Sequence, residues 1–438
     1  MDKSNKQRII KISLPIIMLG IMIGFVMAFL NLEAKNDDIN NDKRVVCALK
    51  KEDEVCAVSS AKIGSMGDLL IHKPVFRAFY NENSNSYDFT KAFSYIAPYI
   101  KKLDYAVVDI EGTLADSDFS GYPVFRCPDS LVDAAMDCGF DMFLLANNHS
   151  NDNGSVGFRR TQQVLKAKNA EFIGTRSNID DDKYIIKTIN GIKLGFVNYT
   201  YGNIYDDGIA SVNGIPLSAQ NSKLINVFDY NRLDMFYKEQ QDIIDNMRKT
   251  GVDKIIYYMH WGNEYQIKEN DWQRKISQKL SDLGVDIIIG GHPHVVQPID
   301  VIHSDISNKD TICIYSMGNA LSNQRVEYMD MKTGHTEDGV LFMFTCTKYS
   351  DGKVLVSSVD VVPTWVNLRY HDGGNRVYQI LPLEAQKEWK DSFELTKQEY
   401  ECANKSYNRT MDILGEGLGK AKELVLDKLK LDYPDIYR

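Results

Sequence analysis

Short apolar or β-branched runs alternate with stretches of helical spacing along most of the chain. Strand-like runs are KIGSM (62–66), YAVVDI (105–110), DMFLLA (141–146), YIIKTI (184–189), KLGFVNY (193–199), KIIYYM (254–259), DIIIG (286–290) and ICIYSM (312–317). Amphipathic stretches at 91–102, 129–138, 155–168, 232–250 and 271–283 separate several of them. This alternation predicts βαβ units and a largely parallel sheet flanked by helices. Two later runs, VLFMFTCT (340–347) and VLVSSVDVV (354–362), have no long helix between them and predict antiparallel strands. From about residue 383 the spacing becomes helical and the charge density high, which predicts a helical appendage packed along the domain.

Residues 12–30 (ISLPIIMLGIMIGFVMAFL) carry no charge, and no polar face interrupts the apolar run. At a 1.5 Å rise per residue this segment just reaches the hydrocarbon thickness of a bilayer, ~30 Å. Lys3, Lys6, Arg8 and Lys11 precede it against the single acid Asp2, so the positive-inside rule keeps the short N-terminus in the cytoplasm. The apolar core is longer than that of a cleaved signal peptide, and no small-x-small cleavage site follows. The expected organisation is a cytoplasmic tip and transmembrane signal anchor (1–31), a polar stalk (32–60), a main extracytoplasmic domain (61–370) and a mostly helical C-terminal extension (371–438).

Composition narrows the class. Of 438 residues 44% are hydrophobic and 25% charged, the balance of a folded globular chain, which excludes disorder and a multi-span membrane protein. Subtracting 60 acidic from 51 basic residues leaves a net charge of −9, which argues against a nucleic-acid partner. The seven cysteines lie far apart with no CxxC, which excludes a zinc ribbon and a disulfide-dense scaffold. Cys47 and Cys56 are close enough in sequence for a disulfide; two free thiols are the alternative.

In open α/β sheets ligands sit beyond the carboxyl ends of the strands, and the polar clusters of this chain fall there. KIGSM runs into Gly67-Asp68 and on to His72; YAVVDI into Glu111-Gly112; FLLA into Asn147-Asn148-His149-Ser150-Asn151-Asp152. KIIYYM runs into His260-Trp261-Gly262-Asn263-Glu264; DIIIG into Gly291-His292-Pro293-His294; ICIYSM into Gly318-Asn319. Singly, each has a plain structural reading: a turn at Gly67-Asp68, a solvated acid at Glu111, helix-capping amides at Asn147-Asn148, a core histidine at His260. Together they place carboxylates, amides and histidines at six successive strand ends, and the combination predicts a metal site. If the His292–His294 loop is extended, both rings face one side and address two neighbouring ions. Imidazole and oxygen ligands without sulfur suit Mn, Fe or Zn, and a bridging carboxylate suits two metals that activate a shared water. No G-x-S-x-G elbow and no strand-end cysteine supports a covalent nucleophile instead.

The motifs GDLLIH, VVDIEGTLAD, LLANNHSNDNG, MHWGNEY, GGHPHVVQPID and YSMGNALSNQ, in this order over residues 61 to 365, resemble those of the CapA-type poly-γ-glutamate capsule biosynthesis proteins. That family is similar to calcineurin-like metallophosphoesterases, which implies a four-layer α/β/β/α sandwich around a two-metal centre. Position by position, the resemblance implies Asp68, Glu111 (in the bridging position), Asn148, His260, His292 and His294 as metal ligands. It implies His149 as the acid near the leaving group. His72 lies four residues after Asp68, where the phosphoesterase pattern has its histidine at two, and receives no role. Asp152, Glu264 and Asn319 belong to the CapA-type motifs: Asp152 is grouped with His149 as a candidate catalytic residue, and Glu264 and Asn319 as candidate substrate contacts. Arg126, in GYPVFRCP, is a candidate clamp for a substrate carboxylate.

The resemblance implies a part in capsule or poly-γ-glutamate biosynthesis. One form is a membrane-anchored, metal-dependent hydrolase-like enzyme acting on the anionic polymer or its anchor. The other is a non-catalytic subunit that assembles with membrane-embedded synthesis or export proteins. An acidic domain that handles a polyanion needs local positive potential, which bound divalent metals supply.

Overall fold

The computed structural model describes residues 54–370, 376–385 and 388–437. They divide into two compact units. The larger holds Ala61–Thr347 and the chain from Val354 onward; the smaller holds the residues up to Ser60 together with Lys348–Lys353. In the smaller unit the Cys56 backbone N–H donates to Ser350 Oγ at 3.1 Å. Cys56 is disulfide-bonded, while Cys47 lies outside the described residues, as does the predicted anchor at 12–30. Among the described residues no helix is long and apolar enough to cross a membrane.

The larger unit is mixed α/β and carries two large sheets rather than the single one that alternation alone predicts. Its strands are β1 (Ala57–Leu69), β2 (Tyr105–Ile110), β3 (Met142–Leu144), β4 (Glu171–Ile173), β5 (Tyr184–Ile189), β6 (Ile192–Tyr201), β7 (Val227–Phe228) and β8 (Lys254–His260). They continue with β9 (Ile287–Gly291), β10 (Val296–Ser304), β11 (Lys309–Met317), β12 (Asn319–Leu321), β13 (Asp338–Tyr349), β14 (Val354–Tyr370) and β15 (Arg376–Pro382). The first sheet has the order β15-β14-β13-β1-β2-β3-β4, with β12 beside β1; the second has β7-β6-β8-β9-β11-β10, with β5 beside β6. Pairing is parallel from β1 to β4 and from β7 to β11 through β6, β8 and β9. It is antiparallel at β10–β11, β5–β6 and β14–β15. β15 extends the first sheet past residue 370, the boundary expected from sequence.

The main helices are α1 (Ser130–Cys138), α2 (Gly154–Ala167), α3 (Leu233–Lys249), α4 (Asp271–Asp282) and α5 (Lys397–Asp432). The stretch expected as one helix at 91–102 is two short ones, Thr90–Phe93 and Ala97–Ile100, because Pro98 starts a new helix rather than continuing the old.

Period-two alternation explains the layering. On β2, Ala106, Val108 and Ile110 face outward onto Phe93, Ile96 and Leu131. Tyr105 faces the other sheet, its ring 5.6 Å from that of Phe196 on β6. On β8, Tyr257 and Met259 pack outward with Phe236 and Ile244 of α3 and Ile276 of α4, while the Tyr258 hydroxyl meets Ser65 Oγ of β1 at 2.8 Å. Strands buried on both faces read as continuous apolar runs, which is why the sequence shows little alternation here. Asp109 and His260 fall on the inner faces at the carboxyl ends of two central strands.

The tail forms one 36-residue helix, α5, opened by a capping box between Thr396 and Glu399. Its buried positions 403, 406, 410, 414, 417, 421, 425 and 429 recur every three or four residues. Gly417 brings the helix against β10: a Cβ there would sit 1.8 Å from the Ile299 carbonyl oxygen. Arg409 clasps the Asp338 carboxylate with two hydrogen bonds of 2.8 Å.

Candidate metal centre

The carboxyl ends of the two sheets converge on one buried cluster. On β1 the alternation that turns Ser65 inward would turn Asp68 outward with Met66. Gly67 is the extra residue that corrects this: Met66 pairs with Val108 and Asp68 with Asp109, so the bulge resets the face and aims Asp68 inward. Register also sets Asp68 beside Asn319 of β12 and His260 beside Gly291 of β9. Gly291 leaves room for the Asp68 carboxylate, whose Oδ1 would be 2.9 Å from a Cβ at that position.

Two sets of side chains are close enough to hold cations: Asp68, Asp109 and His260, and Glu111, His292 and His294. Glu111 lies between them. Its Oε1 is 3.6 Å from His260 Nε2 and its Oε2 is 3.6 Å from His294 Nδ1, while His294 Nδ1 is also 3.4 Å from Asp68 Oδ2. Asn148 joins through Oδ1, 2.7 Å from His260 Nε2. None of these seven residues is more than 3% exposed. All six metal-ligand candidates from the sequence are thus brought together. The His292–His294 loop is not extended: both residues have left-handed φ, 94° and 58°, and both rings fall in the set with Glu111 instead of serving one ion each.

The donor atoms themselves suit divalent cations. Asp68 Oδ1, both Glu111 oxygens, His260 Nδ1 and His292 Nδ1 are buried without a hydrogen-bond partner. Buried polar atoms are costly in that condition, and a set of carboxylates and imidazoles without sulfur fits Mn, Fe or Zn. Charge balance points the same way. Burial alone would lower the His260 imidazole, but Asp109 and Glu111 push it up to about 10. His294 is pushed up to about 9 by Glu111 and Asp68 against the same burial. Burial works to raise Glu111, yet His294 and His260 hold it below the usual carboxylate range. His292 is driven well down, first by burial and then by the two histidines beside it. The carboxylates therefore attract positive charge, and the histidines compete to carry it.

Around the cluster, His149 Nδ1 meets Asp152 Oδ2 at 2.8 Å, and its Nε2 lies 4.0 Å from Glu111 Oε1. The same Asp152 oxygen accepts the Phe125 backbone N–H at 2.6 Å, and the Phe125 ring stands edge-on to His149 at 4.7 Å. Asn319 accepts from or donates to protein at every turn: Oδ1 is 3.1 Å from His294 Nδ1, and Nδ2 donates to His294 O, Gln324 Oε1 and Thr336 O. Its amide is thus held against His294. The Arg126 guanidinium donates to the Ser117 carbonyl at 3.4 Å, and its Nε is buried without a hydrogen-bond partner. Glu264 is exposed and close enough to raise His294. His72 Nδ1 lies 3.0 Å from the Leu70 carbonyl oxygen and accepts the Asn323 N–H, so this nitrogen is turned away from the cluster.

Three contributors escaped the sequence reading. Asp109 completes one of the two sets, and Asn147, expected as a turn or cap residue, donates to Asp109 Oδ1 (2.9 Å) and Ile110 O (2.7 Å). Tyr201 lays its ring 4.8 Å from that of His292. Asp109 had a signal: it is the single charge within the apolar run YAVVDI. Tyr201 had none.

Capsule biosynthesis protein CapA from Bacillus anthracis is 27% identical over 266 residues, 59% of this chain and 59% of that protein. PGA biosynthesis protein CapA from Bacillus subtilis is 24% identical over 308 residues, 68% of this chain and 70% of that protein. Among solved structures, the calcineurin-like phosphoesterase YfkN from Bacillus subtilis covers 80% of this chain and 99% of its own at 14% identity and a TM-score of 0.36. The description "Bacterial capsule synthesis protein PGA_cap" matches residues 62–324, more than half of the chain, and contains every member of the cluster. The chain belongs to the bacterial capsule synthesis protein family PGA_cap.

Proposed function

We propose that this protein is a metal-dependent, hydrolase-like enzyme of poly-γ-glutamate capsule biosynthesis. In this reading residues 12–30 anchor it in the cell membrane, and a metallophosphoesterase-like α/β/β/α domain outside acts on the anionic polymer or its anchor. The observation that carries it is the buried cluster of three carboxylates and three imidazoles, several of whose donor atoms have no protein partner. Divalent cations held there would polarise an acyl or phosphoryl oxygen and acidify water. Asp68, Asp109 and His260 would hold one cation, and Glu111, His292 and His294 the other, with the Asn148 amide oxygen beside His260. Asp152 fixes the His149 tautomer by accepting from Nδ1, which leaves Nε2 on the cluster side to carry a proton to the leaving group. The Phe125 ring packs edge-on against the His149 imidazole.

The test is elemental analysis of the full chain purified after growth with Mn or Zn, followed by assay on γ-glutamyl oligomers and on model phosphodiesters. About two metals per chain, falling to about one in the His292→Ala, His294→Ala double variant, support the enzyme reading. A wild-type chain without metal defeats it and leaves the assembly or export subunit as the function.

A further inference from the structure

A groove of about 1130 Å³ is lined by Lys73, Arg77, Lys91 and Arg376 with Glu82 and Asp88. Four cations against two carboxylates give it a local charge opposite to the chain's −9. None of the four cations takes part in an ion pair among the described residues. Asp88, the nearest acid in sequence to Lys91, instead accepts the Thr90 backbone N–H at 2.9 Å. Arg376 rests its guanidinium 5.7 Å over the Tyr370 ring, a contact that leaves the planar N–H donors facing outward from the ring free for oxygen. Lys73 and Arg77 are four residues apart on the helix Lys73–Ala78 and therefore share a face.

A line of packed rings runs from the groove wall toward the candidate metal centre. Lys73 follows His72, whose ring stands edge-on to Phe125 at 5.1 Å, and Phe125 in turn stands edge-on to His149. Gly121 closes the wall at this point, its Cα so near the His72–Lys73 backbone that a Cβ would lie 2.5 Å from the Lys73 nitrogen. Burial pushes His72 down to about 4, so the residue between groove and cluster is a neutral, aromatic step.

We propose that this groove is the binding track for a linear polycarboxylate, and that it presents the polymer to the His149 side of the cluster. The proposal rests on the reading of the cluster as a polymer-acting site and adds where the polymer lies. Cations spaced along an open groove fit a chain with a carboxylate on every repeat better than a compact ligand, which needs an enclosed pocket. Lysine and arginine at exposed positions also make the attraction long-ranged and salt-sensitive.

Fluorescence anisotropy with a labelled γ-linked glutamate oligomer and the full chain tests this. Binding should weaken about tenfold or more in Lys73→Glu, Arg77→Glu, and weaken again as salt rises. Lys238→Glu, Lys249→Glu, on exposed positions of α3, should leave it unchanged and controls for net charge. The groove substitutions should weaken binding by the same factor in metal-free and in metal-loaded protein, which separates the groove from the metal reading. If metal-loaded wild type leaves the oligomer intact but the groove variants still lose binding, the track stands and the hydrolase reading falls. Equal binding by the groove variant and the wild type, or equal binding of the uncharged γ-linked oligomer whose α-carboxylates are carboxamides, overturns the track.

Discussion

His149 offers its Nδ1 to Asp152 Oδ2 at 2.8 Å and holds its Nε2 4.0 Å from Glu111 Oε1. One ring thus links an orienting carboxylate to the cluster, three residues away in sequence and on the loop that enters α2. Asp152 is a positioning residue by this geometry, because it reaches the chemistry only through His149.

Asp152→Asn keeps the shape but can donate where the carboxylate accepts, so the other tautomer of His149 gains. Turnover of the polymer should fall by roughly 10²-fold, the range of a misplaced general acid, with KM and metal content near wild type. The alkaline limb of the pH–rate profile, where the general acid loses its proton, should move with it. A variant that loses metal along with activity would make Asp152 a structural support of the centre instead.

Asp109 belongs to the set with Asp68 and His260, and Asn147 holds its other oxygen. Asp109→Asn should cut the metal content from about two per chain to about one, since the set with Glu111, His292 and His294 stays whole. Elemental analysis reads this directly. Retention of both metals would remove Asp109 from the ligand set.

How the sequence announces these residues differs between the two sheets. Polar residues beyond a strand end, such as His260, His292 and Asn148, interrupt an apolar pattern and stand out. Asp109 lies within a strand and is hidden by the apolar residues on either side. The facing of Asp68 was not legible, because it depends on a bulge that shows only in the pairing of β1 with β2. The division into two sheets was equally hidden: alternating strands and helices predict parallel pairing but not which strands pair. α5 was legible as helix from its three-four spacing, and its path along β10 was not, since nothing local marks Gly417 as a contact.

That bulge makes a prediction of its own. A Cβ on Gly67 would lie 1.8 Å from the Gly318 carbonyl oxygen, a backbone atom that cannot swing aside. Gly67→Ala should destabilise the chain by about 3 kcal/mol, the upper range for overpacking, and lower metal affinity because Asp68 loses its aim. Urea unfolding together with metal titration checks both effects. Normal stability with normal metal binding would show that β1 accommodates the methyl group by moving away from β12.

Protons and metals should compete at the cluster. His260, pushed up to about 10, and His294, pushed up to about 9, are both charged at neutral pH in the protein alone. A cation needs the neutral imidazole, so binding must release protons, and affinity should rise with pH from 7 toward 9 and fall on acidification. Calorimetry in two buffers of different ionisation enthalpy measures the protons released. Equal apparent heats in both buffers would mean that neither histidine is a ligand.

The Arg409–Asp338 pair ties α5 to the strand that carries its neighbour Gly339 against Gly318, next to Asn319. Burial pushes the Asp338 carboxyl up to about 6, although Arg409 pulls it back. A folded value above the unfolded one, ~3.9, means the folded chain holds this proton more tightly. Its contribution therefore favours the fold below about pH 4 and is lost progressively as pH rises through about 6. Arg409→Met removes the opposing charge, raises Asp338 further, and should cost about 3 kcal/mol at pH 7.5, the penalty of a buried carboxylate left alone. At pH 4 the carboxyl is protonated and the cost should shrink to the lost packing of one side chain. Adding Asp338→Asn should restore most of the loss at pH 7.5, because no buried charge then remains. Urea midpoints for the wild type, both single variants and the double variant at the two pH values complete the cycle. A loss in Arg409→Met that is equal at pH 4 and pH 7.5 would show that Arg409 acts through packing alone.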